Sequence, residues 1–113
     1  MNPRDNDPFG NAVKAHLAGR QDLVVNVYSD IAEDDIIPVP YLFRSYDEMP
    51  EVEQAALKEC RGTVLDVGAG AGPHAKWLEQ NGLEVTALDI SLGCTEAMRA
   101  QRITNVVQGN VYL

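Results

Sequence analysis

The chain has 113 residues, the length of one small domain, and its apolar fraction of 45% is ordinary for a globular protein. Its formal net charge is −8 with no Lys/Arg cluster, which argues against nucleic acid or an anionic membrane as partner, since phosphate contacts need a basic patch. No apolar run is long enough to cross a bilayer, and the opening MNPRDNDPFG lacks the apolar core of a secretory signal, so a cytoplasmic protein is expected.

Asp7-Pro8 reads as an N-cap followed by proline at the first helical position. Phe9, Val13 and Leu17 then recur at helical spacing, and Gly19 ends the helix. Residues 23–28 (LVVNVY) are apolar and β-branched, which predicts a strand. Residues 29–50 predict an irregular segment, because Pro38 and Pro40 forbid a regular helix and Ala32-Glu33-Asp34-Asp35 breaks the apolar pattern. The acidic run reads as a solvated loop. Residues 50–60 (PEVEQAALKEC) predict a helix with its acidic residues early, as the helix dipole prefers.

From Thr63 the pattern becomes regular. A strand over 63–67 runs into a glycine loop over 68–72. A helix over 73–81 follows, with Gly82 as its C-cap, then a strand over 84–89. Ser91 caps a helix reaching about Arg102, and a third strand starts at Val106. Strands alternating with helices imply a parallel sheet with right-handed crossovers. Cys60 and Cys94 form no CxxC, and no His/Cys spacing suits zinc, so two thiols in a reducing compartment and no metal are expected.

The informative stretch is Val64-Leu65-Asp66-Val67-Gly68-Ala69-Gly70-Ala71-Gly72. Glycines at alternate positions permit backbone angles closed to other residues and remove the Cβ that would keep a ligand off the main chain. Ligands of open α/β sheets bind at such turns, beyond the carboxyl ends of strands. Dinucleotide folds use a similar turn, but two details differ here. The spacing is GxGxG rather than GxGxxG. Asp66 also stands where a carboxylate would repel a pyrophosphate, whereas a ligand carrying an ammonium and a sulfonium would welcome it. Asp89, ending the next strand, can accept from both ribose hydroxyls. Asn110, after the third strand, falls where an acceptor could meet an adenine amino group, with a backbone N–H beside it.

The stretch 63–111 resembles the class I S-adenosylmethionine (SAM)-dependent methyltransferases. The glycine sentence looks like their first motif, and Ala87-Leu88-Asp89-Ile90-Ser91 like the next. Gln108-Gly109-Asn110 is similar to their third-strand segment, which more often ends in aspartate; the Asn110 amide oxygen still accepts a hydrogen bond. The resemblance implies that 68–72 lie under the methionine moiety, that Asp66 binds its amino group, that Asp89 takes the ribose and that Asn110 takes the adenine. An N-terminal segment folding over the cofactor would let Arg44 hold its carboxylate; a surface arginine among packing aromatics is the alternative. The candidate cofactor-binding residues are Asp66, Gly68, Ala69, Gly70, Gly72, Asp89, Ile90, Asn110, Val111 and Arg44. No catalytic residue is assigned. His74 is read as structural, His16 as solvated, and Trp77 as packing its helix onto the sheet.

The expected fold is α/β, a partial Rossmann-like three-layer sandwich with parallel strands in order 3-2-1. Residues 1–50 would form an N-terminal extension acting as a lid, and 51–113 the first half of the SAM-binding domain. Such sheets have about seven strands in the family. The first strand therefore becomes a bare edge, covered by further chain, by the strand over 23–28, or by a second copy in a homodimer. The function expected is methyl transfer from SAM to a small-molecule acceptor. A non-catalytic SAM- or nucleotide-binding module and an NAD-dependent oxidoreductase are the alternatives.

Overall fold

The computed structural model describes residues 6–28, 30, 31 and 33–110. Helix α1 spans Pro8–Leu17. The Asp7 carboxylate accepts from the Gly10 N–H at 3.0 Å, which satisfies one of the donors a helix start leaves open. Val13 on its inner face is fully buried, worth about 2 kcal/mol for a side chain of that size. His16 is only half-exposed rather than solvated: its ring lies 4.8 Å from that of Phe43, and Nδ1 sits 2.8 Å from the Arg20 carbonyl.

Strand β1, Val24–Val27, pairs antiparallel with β2, Asp35–Pro38, in the register Val25↔Ile37. The predicted strand is therefore present, but it does not cover the edge of the parallel sheet, as one expectation had it. Its partner comes from the segment expected to be irregular. Ile36 and Ile37 give that segment enough β-branched character to pair once β1 lies beside it. Beyond it the prolines act as expected, allowing only 3-10 turns over Val39–Phe43 and Tyr46–Glu48. In the second turn Glu48 accepts from both the N–H and the hydroxyl of Ser45.

Helix α2 covers Glu51–Glu59. Then follow β3 (Thr63–Val67), α3 (Pro73–Gln80), β4 (Glu84–Asp89), α4 (Leu92–Ala100) and β5 (Val106–Gln108). The last three strands form a parallel sheet with β4 between β3 and β5. Both α3 and α4 cover one face of it: Ala75, Leu78 and Met98 pack with Val85 and Ala87 in one core. The opposite face presents Leu65, Val67 and Val107, each more than 40% exposed. Of the three layers expected, the described residues supply the sheet and one helical layer.

A second, smaller core joins α1 to α4 through Val13, Cys94 and Ala97, with Ala71 of the glycine loop included. The helices touch at two glycines. A Cβ on Gly93 would lie 2.5 Å from the Gly10 backbone, so only glycine allows this approach. Among the described residues no helix is long and apolar enough to cross a membrane.

Candidate functional site

The site is built where β3 and β4 end. Gly68 and Gly70 hold φ values of 68° and 61°, and open space lies where their side chains would be. The N–H groups of Gly68, Ala69, Gly70 and Gly72 are already engaged. The Gly68 and Ala69 N–H groups both donate to the Leu88 carbonyl at 2.8 and 3.0 Å. The Gly70 N–H donates to Asp89 Oδ2 at 2.7 Å, and the Gly72 N–H to the Ala69 carbonyl. Helix α3 then begins with Pro73, which has no N–H at all. The loop is thus an open cradle whose amides point inward.

Asp89 is held from two sides, since Oδ1 accepts from the Ser91 N–H at 2.8 Å. Each oxygen keeps a further lone pair. Beside it a cavity of about 190 Å³ is lined by Val67, Gly68, Leu88, Ile90, Gly109 and Asn110. Ile90 leaves 68% of its surface exposed there, an apolar platform next to a carboxylate. Asn110 is exposed and lines the same cavity; Val111 lies outside the described residues.

Asp66 differs. Its side chain points to the helix-covered face of β3, and Oδ2 is buried with no hydrogen-bond partner. Burial pushes its carboxyl above the ordinary range; His74 pulls the other way and Asp89 adds to the push. A buried acceptor without a donor is costly, and such atoms in folded proteins are met by an ordered water, an ion or a ligand.

Arg44 stands between the two 3-10 turns and lines a cavity of about 360 Å³ with Tyr46, Ala71, Pro73 and Trp77. Its Nη2 donates to Glu53 Oε1 at 2.6 Å and its Nη1 to the Tyr41 carbonyl at 3.1 Å, with the guanidinium 4.6 Å above the Tyr41 ring. Trp77, expected to pack its helix onto the sheet, lies partly buried at the margin of the main core and stacks on Tyr46 at 4.8 Å. Cys94 is buried, its thiol pushed up to about 11 by burial, and so offers no nucleophile.

The structure thus brings Gly68, Asp89, Ile90 and Asn110 around one cavity, sets Asp66 and His74 on either side of the loop, and ties Arg44 to another carboxylate. Two residues escape sequence reasoning. Glu53 looks like an ordinary first-turn acid. Asp7 is legible as a cap of its own helix, but it also accepts from the Ser91 hydroxyl and the Gly93 N–H at 2.8 Å each, so it closes the start of α4 as well.

A parallel sheet, a glycine cradle at its carboxyl edge and a carboxylate ending the second strand define a nucleoside-cofactor-binding Rossmann-like domain. Residues 65–112 match a family described as the methyltransferase domain. The chain is also similar to the crystal structure of a SAM-dependent methyltransferase from Bacteroides fragilis in complex with S-adenosyl-L-homocysteine. That match has a TM-score of 0.86 and 39% identity over 94% of this chain and 44% of the other. The chain therefore spans less than half the length of that relative. No curated protein matches it. Both findings support a class I SAM-dependent methyltransferase domain over the part that this chain spans.

Proposed function

We propose that this chain is the cofactor-binding part of an enzyme that transfers the methyl group of SAM to a small-molecule acceptor. One observation carries the choice of cofactor. The Gly68, Ala69 and Gly70 amides are spent on Leu88 and Asp89 and the Gly72 amide on the Ala69 carbonyl, and Pro73 deprives α3 of its first N–H, while Asp7 occupies the start of α4. A pyrophosphate needs free N–H groups at a helix start. A sulfonium amino acid needs room and negative charge, which the open cradle and Asp66 supply.

In this reading Asp66 Oδ2 accepts from the cofactor ammonium, which supplies its missing donor. Gly68 and Gly70 let the methionine chain lie against the backbone. Asp89 uses its remaining lone pairs for the ribose hydroxyls, and Ile90 lies along the adenine face. Asn110 and the Val111 amide read the adenine edge. Arg44 serves the carboxylate. The cofactor brings an electrophilic sulfonium methyl, and the chain's task is to hold it in line with the acceptor.

Calorimetric titration of the chain with SAM, S-adenosyl-L-homocysteine and NAD tests this. SAM and its demethylated product are expected to bind and NAD is not. Binding of NAD alone overturns the reading. SAM binding with no transfer to any acceptor favours the non-catalytic module instead.

A further inference from the structure

Side chains from three separate elements meet at one carboxylate oxygen. Arg44 comes from the join between the 3-10 turns, Glu53 from the first turn of α2 and His74 from the first turn of α3. Glu53 Oε1 accepts from Arg44 Nη2 at 2.6 Å and from His74 Nε2 at 2.7 Å. The side chains keep only 13% of Arg44, 23% of Glu53 and 35% of His74 exposed, so solvent screens them incompletely.

His74 in turn acts electrostatically on Asp66, so a row of side chains runs from Arg44 through Glu53 and His74 to Asp66. At each end of the row one buried atom has no partner: Arg44 Nε, a donor, and Asp66 Oδ2, an acceptor. The free amino-acid end of SAM needs a donor for its carboxylate and an acceptor for its ammonium. With Nη1 bonded to Tyr41 and Nη2 to Glu53, the Arg44 guanidinium plane is fixed, and its buried Nε–H is among the donors left to offer.

We propose that Glu53 is the positioning residue for the amino-acid end of the cofactor, fixing Arg44 and His74 through one carboxylate oxygen without touching the ligand. The proposal rests on the methyltransferase reading above. Glu53 acts through geometry and charge together: a charge-assisted bond orients each partner and is about twice as strong as a neutral one.

The test compares two ligands on Glu53→Gln, an isosteric change that removes the charge. S-adenosyl-L-homocysteine carries the amino-acid end; 5′-methylthioadenosine keeps adenine, ribose and sulfur but lacks it. The variant should bind the first about tenfold more weakly, the scale of one weakened charge-assisted bond, and the second as tightly as the unaltered chain does. An unchanged ratio of the two affinities overturns the proposal. Where that ratio is unchanged because both affinities fall equally, Glu53 is a support of the fold alone. If the unaltered chain binds neither ligand, the reading of the site itself fails, an outcome distinct from the other two.

Discussion

The two carboxylates flanking the glycine loop live under opposite conditions. Asp89 is complete before any ligand arrives: Gly70 and Ser91 each give one of its oxygens an N–H at 2.7 and 2.8 Å. Asp66 is incomplete, with one oxygen buried and alone and its carboxyl pushed up by that burial. In the proposed reading the nucleoside end is therefore built by the sheet, because Asp89, Ile90 and Gly109 sit where strands finish. The amino-acid end is assembled from helices and turns that merely approach the sheet. A folded protein can hold a finished acceptor rigidly at little cost, whereas an unfinished one stores a penalty that its ligand relieves.

The comparison can be broken most directly at Asp89. Asp89→Ala removes the ribose acceptor and the clamp on Gly70 together. Affinity for S-adenosyl-L-homocysteine should fall about 100-fold by calorimetry, equal to about 3 kcal/mol for two charge-assisted bonds. A loss no greater than that of Asp66→Asn would erase the distinction. Next comes the support beneath the nucleoside end. Asp7→Ala should lower stability in urea by about 1–2 kcal/mol, the worth of a strong helix cap. Burial alone would raise the Asp7 carboxyl, but the Gly93 N–H, the Ser91 hydroxyl and the Gly10 N–H outweigh it and hold it below 3.8. Its contribution is therefore full above the ordinary value and lost as pH falls through the lowered one, so variant and parent should converge in strong acid. An unchanged gap at low pH would assign the loss to packing instead.

The smallest effect belongs to Asp66. Its folded-state value is raised, so the ligand-free native state holds its proton longer than the unfolded chain does. Stability of the ligand-free protein should decline as pH rises from 3.8 through that raised value, and Asn cannot titrate. Melting curves of Asp66→Asn and parent should therefore separate in favour of the variant as pH rises. Curves that stay parallel would mean that burial of Asp66 carries no charge penalty.

The parallel sheet was legible because its signals are local. Thr63 to Asp89 alternate apolar strands with glycine punctuation, and Ser91 announces its helix by capping it. Asp66, Asp89 and the glycines could be singled out because each owes its place to the turn it occupies. The hairpin of β1 and β2 was half legible: residues 24–27 read as a strand, but Asp35–Pro38 becomes one only by pairing. Glu53 could not be read at all. Its importance lies in Arg44 and His74, which stand 9 residues before it and 21 after it, and no spacing rule connects three turns that only tertiary packing brings together. An acid early in a helix, shortly after an arginine set among aromatics, was the only available hint.

The Asp7 carboxylate and the Ser91 hydroxyl meet across 84 residues of chain. A ribosome adding about 5–20 residues each second keeps α1 waiting roughly 4–17 s before its partner exists. Throughout that interval Phe9 and Val13 have nothing to pack on but the growing chain. Helix α1 can pack early on the segment around Phe43, but its docking is complete only when the start of α4 reaches it. Completion of the nucleoside end is in this way timed to the closing steps of folding, where long-range contacts form slowest.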